Sequence, residues 1–72
     1  MQVEIFNTNV EREKDAAAII EHLLQHFPHY QINFDLEDCD RILRIAAKQH
    51  PINKQQVIQL LGVKGYACAH LI

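Results

Sequence analysis

Gln31-Ile32-Asn33-Phe34-Asp35-Leu36 is followed, after Glu37-Asp38-Cys39-Asp40, by Arg41-Ile42-Leu43-Arg44-Ile45-Ala46. Both six-residue runs carry the period-two alternation of a half-buried strand. In the first run Ile32, Phe34 and Leu36 fall on one face, Asn33 and Asp35 on the other. A loop at 37–40 sets Leu36 opposite Arg41, Phe34 opposite Leu43 and Ile32 opposite Ile45. The apolar partners then share a face, as hairpin register requires. The spacing predicts a central hairpin, and the rest of the chain is read outward from it.

Upstream, residues 3–8 are rich in strand formers, with Val3 and Ile5 on one face and Glu4 and Phe6 on the other. Thr8 with Glu11 three residues on fits a capping box, and Asn9 is a competing cap. Glu11, Glu13 and Asp15 suit the positive end of a helix dipole. Ala16, Ile20, Leu23, Leu24 and Phe27 recur at helical spacing, so the helix is expected to run to about Phe27 and stop at Pro28. Downstream, Asn53 caps a second helix, Gln56 answers from the third helical position, and Ile52 staples onto Val57. Val57, Ile58, Leu60 and Leu61 form its apolar side, and Gly62 or Gly65 ends it. Tyr66 to Ile72 reads as a last strand.

The order is strand, helix, strand, strand, helix, strand. With right-handed crossovers it predicts an α+β, ferredoxin-like βαββαβ sandwich. The sheet is expected to be antiparallel and four-stranded, in spatial order 4-1-3-2, with both helices on one face and one domain spanning residues 1–72.

Composition narrows the functions. Hydrophobic residues make up 49% of the chain, enough for one compact core. Seven basic residues stand against nine acidic ones, a net charge of −2, which is a poor match to a nucleic-acid binder. RNA-recognition modules share this topology but stack bases on sheet aromatics flanked by Lys and Arg; only Phe6 and Arg44 answer that description. No apolar run approaches the ~20 residues that cross a bilayer, and Met1 leads into no basic-then-apolar leader. Cys39 and Cys68 are too few for a disulfide scaffold, so a cytoplasmic chain with free thiols is expected.

Several stretches resemble the heavy-metal-associated (HMA) domain superfamily. Phe27-Pro28 resembles the Leu-Pro that ends the first helix there, and Ile32 to Ile45 resembles the central hairpin. Gln56-Val57-Ile58-Gln59-Leu60-Leu61 and then Gly65-Tyr66-Ala67-Cys68 are similar to the second helix and the Gly-Tyr entry to the last strand. The resemblance implies the same fold. Metal-carrying members hold a soft ion such as Cu(I) on a Cys-x-x-Cys pair between first strand and first helix. Here that region, Asn7 to Ala16, contains no cysteine, so no ligand of the family carries over.

Four groups of residues are candidate sites. His22 and His26, four apart on a helix, are spaced to share one metal, with His29 nearby; helix geometry relative to Ile20 sets both on the solvent side. An exposed helix face carries such histidines without a ligand just as readily. Asp38, Cys39 and Asp40 at the hairpin tip, with Asp35 and Glu37, offer carboxylates and a thiol to a divalent ion at the sheet end shared with Asn7, Thr8 and Asn9. A solvated acidic turn is the plainer reading, and the loop lacks the length and glycine of an EF-hand. Tyr66, Cys68 and His70 share a face of the last strand, but a Cys–His pair needs an acid and oxyanion donors that the sequence does not name.

The fourth group is the sheet face turned from the helices. The alternation assigns it Glu4, Phe6, Asn33, Asp35, Ile42, Arg44, Ala67, Ala69 and Leu71. Phe6, Ile42 and Leu71 make it more apolar than a solvated sheet requires, and such patches mark interfaces. The acylphosphatases also share the topology, but the first loop has no arginine for a phosphate, Arg12 falling inside the expected helix. The expectation is a non-catalytic binding or interaction module with no cofactor. Its interface would use Phe6, Ile42, Arg44 and Leu71 and would meet an unidentified protein or a second copy of the chain. The alternative is a divalent-metal binder using Asp38, Cys39 and Asp40 or His22 and His26.

Overall fold

The computed structural model describes residues 1–49 and 51–71, in the order β1 (Gln2–Thr8), α1 (Glu13–His26), β2 (Gln31–Asp35), β3 (Ile42–Ala47), α2 (Lys54–Val63) and β4 (Cys68–His70). The central hairpin has the expected register: Ile32 pairs with Ile45 and Phe34 with Leu43. β3 pairs antiparallel with β1, and β1 with β4, giving the order β2-β3-β1-β4. This is the ferredoxin-like 4-1-3-2 sheet.

The core lies between sheet and helices. Phe6, Leu43 and Ile45 from the sheet, Ile19 and Leu23 from α1, and Val57 and Leu61 from α2 are all buried there. α1 turns a slightly different side inward than its sequence suggests. Ala16, Ile19 and Leu23 are buried, Ile20 is half-buried, and Leu24 remains exposed. The adjacent pair Ile19-Ile20 permits two stripes about 100° apart, and packing on the sheet selects Ile19.

α1 also starts later than a Thr8 or Asn9 cap would set it. Its N-cap is Arg12, with no side-chain cap. Thr8 and Asn9 have other partners. The Thr8 hydroxyl donates to the Arg41 carbonyl (2.6 Å) and accepts from the Val10 amide (3.3 Å). The Asn9 side-chain oxygen accepts from the Ala67 amide at 2.9 Å, tying the entry of β4 to the end of β1.

α2 follows its sequence closely. Asn53 caps it and accepts from the Gln56 amide at 3.1 Å, while Ile52 and Val57 are both buried. The helix closes at Gly65, whose φ of +90° is the left-handed conformation that glycine adopts without strain. Its amide donates to the Gly62 carbonyl and that of Tyr66 to the Leu61 carbonyl, both at 3.0 Å, completing a Schellman cap. The last strand is shorter than the expected 66–72: it is Cys68–His70, and Ile72 lies outside the described residues. Tyr30, just before β2, ties that connection to the start of α2: its hydroxyl accepts from the Asn53 amide (2.9 Å) and donates to the Pro51 carbonyl (3.4 Å). Among the described residues no helix is long and apolar enough to cross a membrane.

Candidate functional site

The two faces of β1 are reversed relative to the sequence reading. Phe6 is fully buried opposite Leu43, so it belongs to the core and not to the open face. Glu4 goes inward with it and is only 8% exposed. Val3 and Ile5 are the more apolar pair, but the larger Phe6 takes the core position, and His70 supplies the partner that lets Glu4 go in with it. Val3 and Ile5 therefore face outward.

The open face is consequently built from Val3, Ile5, Ile42, Arg44, Ala46, Ala69 and Leu71, with Asn33 and Asp35 of β2 beside Arg44 and Ile42 as expected. Ile5 pairs with Arg44, Val3 with Ala46, and the Leu71 amide donates to the Ile5 carbonyl at 2.8 Å. Val3 is 44% and Leu71 48% exposed, and Ile5 and Ile42 are half-buried. Ile42, Arg44 and Leu71 thus lie on the expected face. Local alternation alone could not have named Val3 and Ile5.

An inward carboxylate needs a partner. For Glu4 it is His70, whose Nε2 lies 2.5 Å from Glu4 Oε1. The His70 ring also packs on Phe6, with centroids 5.3 Å apart. Cys68 precedes His70 by two residues and shares its inward side. Burial pushes the Cys68 thiol up to about 11, so the thiol stays protonated at neutral pH. Glu4 supplies the acid that the sequence reading of a Cys–His pair lacked. The pair is nonetheless poorly set for nucleophilic chemistry, because the thiol is desolvated and no Cys68–His70 hydrogen bond occurs among the described residues.

The hairpin tip sits at the sheet end carrying Thr8, as expected: the Thr8 amide donates to the Asp40 carbonyl at 3.1 Å. One ligand atom each from Asp38, Cys39 and Asp40 lies within 4.8 Å of the others, and all three residues are exposed. The Asp38 carboxylate already accepts from the Asp40 amide at 2.9 Å. Arg41 holds the turn in a left-handed conformation (φ +49°), with its guanidinium donating to the Leu36 carbonyl at 2.9 Å. The tip is therefore an ordered turn whose side chains already serve the backbone.

His22 and His26 stand edge to face with centroids 5.1 Å apart. His22 is not on the solvent side, because the shift of the α1 stripe to Ile19 brings it to the margin of the core. His22 is half-buried, and its Nε2 is shielded with no hydrogen-bond partner among the described residues. Loss of water, with Lys64 and His26 nearby, lowers its pKa. The structure brings this pair together but adds no third ligand; among the described residues the only such group of three is Asp38, Cys39 and Asp40. No family model matches the chain, and neither a curated protein nor a solved structure matches it.

Proposed function

We propose that the chain is a small non-catalytic interaction module on an HMA-like scaffold, without the soft-metal motif, that pairs with a second copy through the open face of its sheet. The observation that carries this reading is that Val3, Ile5, Ile42 and Leu71 share one open face, with Val3 and Leu71 about half exposed. Among the described residues no other element covers that face. A two-fold axis presents the same patch on both partners, so one apolar surface answers itself. Arg44 and Asp35 share the face with opposite charges, so an offset two-fold pairing that sets Arg44 of one copy against Asp35 of the other fixes orientation. The free thiols Cys39 and Cys68 suit a reducing compartment such as the cytoplasm.

Sedimentation velocity across ~10–200 μM protein tests the pairing, a range chosen for a transient interface. A concentration-dependent shift to a dimer, abolished by Val3→Lys with Leu71→Glu, is the expected result. A pure monomer throughout removes the reading. A divalent cation at Asp38, Cys39 and Asp40 is the second reading, supported by their gathered ligand atoms.

A further inference from the structure

β2 is an edge of the sheet, bonded on one side to β3 alone. In an antiparallel edge strand, alternate N–H and C=O groups point away from the sheet and lack partners. Among the described residues no other backbone segment bonds to that outer side. The N-terminal half of α1 runs beside it and leaves a groove of about 470 Å³. Ala17 of α1 is too small to fill the space, so Ile20 and Phe34 form an accessible apolar floor. Among the described residues the charged side chains lining the groove are Glu13, Asp35 and Glu37, and the nearby Arg41 guanidinium is committed to the Leu36 carbonyl.

We propose that this groove takes an extended cationic peptide, alternating basic and apolar residues, as a fifth strand against β2. Three independent features select that occupant. The free edge offers main-chain hydrogen bonds to any extended segment, the usual source of affinity in strand addition. The pleat then sorts the side chains. Phe34 faces the helices with its partner Leu43, whereas Asp35, opposite Ile42, faces the open side. An added strand therefore meets an apolar floor on one side and a carboxylate on the other, which calls for an alternating sequence. Glu13 and Glu37 extend the negative charge at the groove's end, which sets the sign. Five residues of β2 accept a segment of about the same length, ~17 Å at the usual rise. A second copy is a poorer occupant, because an antiparallel β2 pair about Asn33 sets Asp35 opposite the uncharged Gln31 and leaves the carboxylates of both copies without a cation.

The inference does not depend on the open-face pairing, and its test uses the Val3→Lys, Leu71→Glu variant alongside the wild type. The probe is an acetylated, amidated hexapeptide alternating lysine and valine, titrated to ~2 mM, the range of a weak transient contact, against the amide NMR spectrum. Amides of residues 32–36 and of Ala17 should shift saturably in both proteins. Ala17→Lys should weaken binding at least about tenfold by filling the floor and adding like charge. Asp35→Lys with Glu37→Lys should transfer the preference to the hexapeptide alternating glutamate and valine. Backbone N-methylation of all six residues should abolish binding, because it removes whichever alternate set of amides faces β2. The proposal is overturned if the lysine peptide shifts nothing, if its shifts centre outside the groove, or if the N-methylated peptide binds equally, which would reduce the contact to charge attraction.

Discussion

Glu4 and His70 join the first strand to the last, His70 Nε2 sitting 2.5 Å from Glu4 Oε1 on the inward side of the sheet. β4 is only three residues long and forms an edge, and this contact joins its pairing with β1 and the Asn9–Ala67 and Ile5–Leu71 hydrogen bonds in holding it. Its worth is asymmetric. A buried carboxylate that loses its donor keeps the full cost of desolvation, whereas replacing both partners with apolar groups removes that cost.

His70→Ala should therefore destabilise the fold by about 1–3 kcal/mol, the range for stranding a buried polar group. Glu4→Leu with His70→Leu should cost less than that single change. Urea unfolding of the three proteins checks this. Equal loss in the single and double variants would mean that the contact acts only through packing on Phe6.

The two thiols should differ sharply in reactivity. Cys39 is exposed at the hairpin tip, while burial raises the Cys68 thiol to about 11. At pH 8 a group with that value is thiolate in only about one molecule in a thousand, and the thiolate is the reactive form. Mixing with a chromogenic disulfide reagent should give one fast phase, lost in Cys39→Ser, and one at least about tenfold slower, lost in Cys68→Ser. Two equal phases would show that β4 opens faster than Cys68 reacts.

Zinc should bind the hairpin tip only weakly. Asp38, Cys39 and Asp40 are all exposed, and the Asp38 carboxylate is already bonded to the Asp40 amide. Protein sites hold zinc through about four converging ligands, and here three are available without burial. Calorimetric titration should find a Kd no tighter than ~100 μM, about −5.5 kcal/mol of binding. A sub-micromolar Kd abolished by Asp40→Asn would establish the cation reading instead.

The parts of the fold that were legible are those where one segment carries the whole signal. The Ile32–Ile45 and Phe34–Leu43 register follows from two adjacent alternating runs, and the Asn53 cap and Gly65 stop follow from local chemistry. The rest turns on distant partners. Glu4 is tolerable inside because of His70, 66 positions away, so β1 could not be oriented by its own pattern. Thr8 fits a capping box in isolation, yet its hydroxyl serves Arg41, 33 positions on. Of the open face, Ile42, Arg44 and Leu71 were legible, but Val3 and Ile5 were not. The edge position of β2 follows from the strand order, whereas the gap beside Ala17 depends on how α1 rotates, which the Ile19-Ile20 pair leaves undecided.

That rotation has a pH consequence. It carries His22 from the solvent side to the core margin, where loss of water, and then Lys64 and His26, lower its pKa below the ordinary 6.5. The unfolded chain then binds a proton at His22 more readily than the folded one. Above pH 6.5 both forms are neutral there and the residue adds no pH dependence. As the pH falls through 6.5 toward the lower folded value, the unfolded form gains protons first, and stability drops. Wild-type protein should therefore lose more stability between pH 7 and pH 5 than His22→Leu, which keeps an apolar side chain at the margin and cannot titrate. Urea midpoints at half-unit pH steps measure the difference. Parallel curves would mean that His22 is as well solvated in the folded protein as in the unfolded chain, and that the shielding of its Nε2 is relieved in solution.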